Sequence, residues 1–108
     1  MKRRTIKYHT YYTIWEYPRV LKLDMECDDE RELREMLRKI DRAEKAISTM
    51  VGMEWLHDGE AGISKEAGKE YQRLSDTWQE LYDHYLNLRI KNNTATAMEM
   101  HYWWARKF

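Results

Sequence analysis

Leu21, Leu23, Met25 and Cys27 alternate with Lys22, Asp24 and Glu26. Successive side chains of a strand point to opposite faces, so this run predicts a strand with one apolar and one polar face. Upstream, Thr5 to Tyr17 is crowded with Ile, Thr, Tyr and Trp, which favour strands. Ile6, Tyr8, Tyr12 and Ile14 share one parity, and Tyr11, Trp15 and Tyr17 share the other. A strand apolar on both faces is either buried on both or binds something. Tyr17-Pro18 reads as a turn, because proline cannot donate to a sheet ladder. The pattern predicts a β-hairpin over 1–27, with strands at about 5–16 and 19–27.

The period then changes. Leu33, Met36, Ile40, Ala43, Ile47 and Met50 recur at alternating steps of three and four, and Leu37 and Val51 widen the stripe. This is one face of an amphipathic helix. Asp29 with Glu32 is a capping-box-like start. Glu30 with Arg34, Glu35 with Lys39 and Asp41 with Lys45 form i,i+4 pairs on a solvated outer face. The predicted helix covers 28–58 and stops at Asp58-Gly59. Ser64 is a suitable N-cap for a second helix over 64–91. There Ala67, Tyr71, Leu74, Trp78, Leu81, Tyr85 and Leu88 form an unbroken heptad stripe, which reads as core rather than as a ligand box. Two such helices joined by a short loop make an antiparallel helical hairpin.

Residues 93–108 form an aromatic segment with two readings. Thr96 with Glu99 is a second capping box and predicts a helix over about 97–107. Thr94, Thr96, Met98, Met100, Tyr102 and Trp104 also alternate, which would make a third strand. Ala and Met tip the balance to helix. Trp103 and Trp104 are adjacent and point in different directions in either form. The fold expected is α+β, one domain over 1–108: an N-terminal β-hairpin, a long antiparallel αα-hairpin, and the aromatic segment packed near the sheet.

Composition narrows the function. The chain has 108 residues, of which 19 are Lys or Arg and 19 are Asp or Glu, so its formal net charge is zero. That argues against a generally basic nucleic-acid coat and against an acidic DNA mimic. Aromatic content of 13% and hydrophobic content of 43% are too high for a disordered chain. No apolar run reaches the roughly 18 residues of a membrane span. Met1-Lys2-Arg3-Arg4 is not followed by an apolar stretch, so no secretory leader and no membrane association are expected, and the cytoplasm is the default location.

Signatures of chemistry are lacking. There is no Gly-rich phosphate loop, nucleophile elbow or HExxH pair. Cys27, the one cysteine, lies on the apolar parity of its strand and reads as a buried inert thiol. Glu54 with His57, and Glu80 with His84, have helical metal-ligand spacing but lack the further carboxylates of a di-metal bundle. No enzymatic activity, catalytic residue, metal or cofactor is expected.

Partner binding remains. Lys2, Arg3, Arg4 and Lys7 make the first nine residues +4. Residues 86–108 carry Arg89, Lys91, Arg106 and Lys107 against Glu99, a net +3. Both stretches are interleaved with rings, as a single-stranded nucleic-acid binder requires, and Arg3, Arg4, Lys7, Tyr12, Arg106 and Lys107 would carry it. Against that, Asp24, Glu26, Asp28, Asp29, Glu30 and Glu32 outweigh Arg31 by five charges. Five Trp, eight Tyr and seven Met exceed what a small core needs. Aromatics, Met and Arg are the residues enriched at protein interfaces. The leading expectation is a self-associating protein–protein interaction module using Tyr11, Trp15, Tyr17, Trp103 and Trp104. In style the composition resembles small phage accessory proteins, which implies inhibition of a host enzyme or defence complex. A nucleotide-sequestering oligomer is a third expectation, resting on the mixture of Arg and rings.

Overall fold

A computed structural model describes residues 4–10, 19–57 and 61–107, with side chains described for 4–8, 20–49 and 67–107. The chain forms β1 (Thr5–Thr10), β2 (Arg19–Asp24), α1 (Glu30–His57), α2 (Ala61–Lys91) and α3 (Ala97–Lys107). The fold is the expected α+β arrangement, a β-hairpin followed by a helical hairpin.

The strands pair antiparallel, with Ile6 opposite Leu23 and Tyr8 opposite Leu21. These residues share the inner face: Tyr8, Leu21 and Leu23 are buried and Ile6 packs against them half-buried. Lys7 and Lys22 face each other on the exposed side. β2 ends at Asp24 rather than 27. The Asp24 carboxylate accepts the Glu26 amide at 3.1 Å, and its carbonyl accepts the Cys27 amide at 3.3 Å, which turns the chain toward α1. Met25 and Cys27 still enter the core, as their parity requires. The part of the first strand expected at 11–16 lies outside the described residues.

Asp29 caps α1: its carboxylate accepts the amides of Arg31 at 2.9 Å and Glu32 at 3.3 Å. Glu32 does not close the box on the Asp29 amide. That amide donates to the Cys27 sulfur at 3.4 Å, and the thiol donates to Glu32 at 3.3 Å. From there the apolar stripe of α1 is core: Leu33, Met36, Leu37, Ile40, Ala43 and Ile47 are buried.

α2 starts at Ala61, so Ser64 lies inside the helix rather than capping it. Gly62 lies inside α2, and a glycine inside a helix costs only about 1 kcal/mol, which a long packed helix absorbs. The α2 stripe is shifted from expectation. Ala67, Leu74, Leu81 and Tyr85 are buried, whereas Tyr71 is 41% exposed and Trp78 and Leu88 are half-buried. Thr77 and Leu86 take buried places outside the stripe. Thr77 meets β1: the Tyr8 hydroxyl hydrogen-bonds its Oγ1, which itself donates to the Arg73 carbonyl at 2.8 Å. No helix among the described residues is long and apolar enough to cross a membrane.

Candidate interaction surface

The end of α2 sets the geometry. Asn93 has a φ of 60°, the left-handed conformation that Gly and Asn adopt most easily. The Thr94 amide bonds the Arg89 carbonyl at 2.8 Å and the Asn93 amide bonds that of Ile90 at 3.1 Å. This paired closure satisfies the last carbonyls of α2 and reverses the chain. α3 then opens on a complete capping box: the Glu99 amide donates to Thr96 Oγ1 at 3.1 Å and the Thr96 amide to Glu99 Oε1 at 2.9 Å. The aromatic segment is therefore a helix, not a third strand. It is anchored on α2 rather than laid along the sheet, because the reversal at 92–96 folds it back antiparallel.

Arg89 ties the junction together. Its guanidinium donates to Glu99 Oε1 at 3.0 Å, to Glu30 Oε1 at 3.0 Å and to the Thr94 carbonyl at 2.6 Å. Glu30 also accepts from Asn92 at 3.0 Å and from the Thr94 hydroxyl at 2.8 Å. The Asn92 and Thr94 hydrogen bonds, with Arg89 behind them, hold the Glu30 carboxyl below the usual carboxylate range. Burial pushes Glu99 the other way, but the amide and hydroxyl of Thr96 and the Arg89 charge outweigh it, so Glu99 is lowered too.

Rings from α2 and α3 form a ladder beside this junction. Trp78 and Tyr82 stack at 4.6 Å between centroids, and Tyr82 meets Tyr102 edge-on at 5.5 Å. Cations line it. Arg34 donates to the Tyr85 hydroxyl at 3.2 Å, Arg89 lies 5.4 Å from the Tyr85 ring, and Arg106 lies 5.6 Å from the Tyr102 ring. Burial first, and the nearby Glu99 charge next, raise the Tyr82 phenol above its ordinary value. Sequence reading missed this group. Tyr82 lies beside the heptad stripe, and only the return of α3 gives it Tyr102 as a neighbour.

The orientation of α3 is the unusual feature. Arg106 pairs with Asp83, the Trp103 indole donates to Asn87 at 2.7 Å, and Glu99 pairs with Arg89. Polar contacts, together with the Tyr102 and Trp103 rings, therefore hold the inward side of α3. No residue of α3 is buried, and Met98, Met100 and Trp104 are 84%, 52% and 59% exposed. An ordinary surface helix points its apolar stripe at the core. Here Met100 and Trp104, one turn apart, point away from it.

The other anticipated residues separate clearly. Tyr11, Trp15 and Tyr17 of the interaction set, and Arg3 and Tyr12 of the nucleic-acid set, lie outside the described residues. Trp103 and Trp104 do point in different directions: Trp103 packs half-buried against the core and Trp104 is exposed. Arg4 is paired with Glu80, and Arg106 with Asp83, so both of these cations already have carboxylate partners. Lys7 and Lys107 are exposed at separate places.

Glu80 and His84 do not converge on a common point. Glu80 takes Arg4, while His84 Nε2 lies 2.6 Å from the Cys27 carbonyl and must carry the proton that this acceptor receives. Burial pushes the Cys27 thiol up, away from the reactive thiolate. Among the described residues no three His, Cys, Asp or Glu side chains are grouped to hold a metal ion. In comparisons with known proteins, no family model, curated protein or solved structure matches the chain.

Proposed function

We propose that the protein is a non-enzymatic protein–protein interaction module whose contact surface is the outward face of α3. One observation carries this reading: α3 buries none of its residues, yet Met98, Met100 and Trp104 stand exposed on a helix fixed in place by a capping box and three polar anchors. Eleven residues are too few for a stable isolated helix, so the anchors hold in advance a surface that would otherwise fray. Preorganisation of that kind lowers the entropic cost of binding. Trp and Met are also side chains that interfaces favour.

The test is a photo-crosslinking amino acid at position 104 in the full chain, with position 39 on α1 as control. Adducts to protein at 104 and none at 39 are expected. Adducts at neither position, or equally at both, would remove the α3 face as the contact surface.

A second reading is favoured by a different observation. Arg31, Arg34, Arg38, Arg42 and Lys45 are exposed along one side of α1, opposite its buried stripe. At 1.5 Å per residue they form a row about 21 Å long. Rows of this kind are electrostatic footprints for nucleic-acid phosphates. Glu35 and Asp41 each pair with one member, Arg38 and Lys45, and reduce the field. Binding through this row would weaken steeply as salt rises, and Arg38→Ala with Arg42→Ala would lower the slope. Mixed oligonucleotides that fail to bind in dilute salt would end the reading.

A further inference from the structure

The basic row on α1 can be followed to a definite ligand. We infer, resting on the reading of that row as a phosphate footprint, that it binds the sugar–phosphate backbone of a nucleic-acid duplex and not a single strand.

The first support is how cleanly the row is segregated. An α-helix turns about 100° per residue, and on that wheel Arg31, Arg34, Arg38, Arg42 and Lys45 fall within an arc of about 80°. The arc lies opposite the buried stripe of Leu33, Met36, Ile40, Ala43 and Ile47. All five cations are exposed. No acidic side chain among the described residues falls inside the arc; Asp41 borders one edge and Glu35 the other. The chain as a whole is neutral, so everything outside this arc carries the compensating negative charge. A polyanion is drawn to this side of the molecule and repelled by the remainder.

The second support is that the charge is available. Arg31 and Arg42 have no carboxylate partner among the described residues. Arg34 donates to the neutral Tyr85 hydroxyl, which orients the guanidinium without cancelling its charge. Arg38 and Lys45 do pair, with Glu35 and Asp41, but each of these four side chains is more than half exposed. Ion pairs that exposed contribute little and exchange readily for a phosphate.

The third support separates duplex from single strand. Single strands are held by rings that stack on the bases, with cations alongside. The arc carries no ring among its described residues. Trp78, Tyr82, Tyr85 and Tyr102 lie on α2 and α3, where they pack on one another. What α1 offers is a straight row of cations about 21 Å long, on a helix whose other side is fixed in the core. A duplex presents phosphates at fixed positions, about 3.4 Å apart along each strand. A row of that length spans the major groove, about 12 Å wide, and meets phosphates of both strands. Four of the five cations are Arg, whose planar fork matches two phosphate oxygens at once.

Fluorescence anisotropy tests this with the full chain and labelled oligonucleotides of mixed sequence, about 20 nucleotides long, as DNA duplex, RNA duplex and single strand. Micromolar binding to a duplex is expected at about 100 mM salt, at least about fivefold tighter than to the single strand. At about 0.9 per phosphate engaged, log affinity should fall against log salt with a slope of about −4.5. Arg31→Gln with Arg42→Gln should weaken duplex binding at least about tenfold in dilute salt and make the slope shallower by about two. Lys7→Gln with Lys22→Gln, on the exposed side of the hairpin, should change affinity by less than about twofold. Every substituted side chain is exposed and glutamine suits a helix, so circular dichroism should show unchanged folding. Tighter binding to the DNA or to the RNA duplex identifies which of them supplies the backbone.

No binding to any oligonucleotide at about 20 mM salt overturns the phosphate reading of the row, and the duplex with it. A single strand bound as tightly as the duplex, and lost equally in the Arg31 and Arg42 variant, keeps the row and overturns the duplex assignment. Polyglutamate that displaces the duplex at equal charge concentration makes the ligand an acidic chain instead of a nucleic acid. Equal loss in the Lys7 and Lys22 variant places the contact away from α1 and overturns the inference.

Discussion

Arg89 and Glu30, which are 59 positions apart, join the end of α2 to the start of α1 through an ion pair at 3.0 Å. The same guanidinium reaches Glu99 of α3, so one side chain fastens three helices. Both carboxylates and the arginine are mostly shielded, with side-chain exposures of 20%, 18% and 12%. Arg89→Met removes the tie and leaves two carboxylates facing each other. The expected outcome is release of α3, seen as faster hydrogen exchange at 97–107, with a thermal midpoint lowered by about 5 °C or more. Arg89→Lys should not restore it, because a single ammonium cannot serve both carboxylates in the fork geometry of a guanidinium. Full protection of α3 in Arg89→Met would show that the capping box and Trp103 suffice.

The same carboxylates give stability a defined pH dependence. Glu30 and Glu99 both titrate below the ordinary glutamate value of 4.5. A carboxylate whose folded value is depressed stabilises the fold fully above its unfolded value. That contribution is lost as pH falls through the folded value. The α3 junction should therefore hold unchanged from neutral pH to about 5 and loosen below 4.5. Thermal melts of wild type and Glu99→Gln as a function of pH check this. The variant should be less stable at neutral pH and flatter below 4.5. Parallel curves would exclude Glu99 as a source of the acid sensitivity.

Tyr8 and Thr77 test the junction between hairpin and helices. Thr77 uses its one hydroxyl proton on the Arg73 carbonyl, so Tyr8 is the donor in the pair they share. Tyr8→Phe removes that donor and leaves Thr77 with its other bond intact, at a cost of about 1 kcal/mol. Thr77→Val strands the Tyr8 hydroxyl in a buried site and should cost more, about 2 kcal/mol. Urea denaturation of both single variants and the double variant measures the coupling. Equal costs that simply add would show that the two hydroxyls do not interact.

Much of the fold is legible where the causal contacts are local. The buried stripe Leu33 to Ile47 follows from helical spacing, and the α3 capping box from two residues three apart. The parity of Leu21 to Cys27 assigns the right side chains to the core even where the strand ends early. What stays hidden depends on distant partners. Glu30 has Arg34 at the favourable i+4 position, yet Arg89, Asn92 and Thr94 take it. Arg34 then turns to Tyr85. Leu86 has no place in the heptad stripe, but it lies among Tyr82, Asp83 and Arg89, the residues through which α2 meets α3. The site shows the same division. Adjacent Trp103 and Trp104 are readable as diverging, but which one faces outward depends on Asn87 of another helix.

The turn that aims α3 depends on one backbone conformation. Asn93 adopts a positive φ, in which a β-carbon crowds the following carbonyl. Asn93→Gly should be neutral or slightly stabilising, and Asn93→Val should cost about 1–2 kcal/mol. The loss should be local as well as global, so hydrogen exchange at 97–107 should rise more in Asn93→Val than exchange within α1. Uniform acceleration throughout the chain would mean that the turn acts on overall stability and does not position α3.

Trp103 and Trp104 are one residue apart and should behave oppositely. Trp103 is half-buried against the core, and its indole N–H is held by Asn87 at 2.7 Å. Trp103→Ala removes that bond and the packing beneath it, at about 2 kcal/mol. Asn87→Ala should reproduce part of the loss. Trp104 is 59% exposed, so Trp104→Ala should cost less than about 1 kcal/mol. Association should reverse the order: Trp104→Ala should abolish contacts made through the α3 face while α3 stays folded. Trp103→Ala should weaken them only as far as α3 comes loose from α2. Chemical denaturation together with photo-crosslinking of each variant from position 100 separates the two roles. Equal destabilisation by both substitutions would show that Trp104 supports the fold, and the α3 face would then lose its principal anchor for a partner.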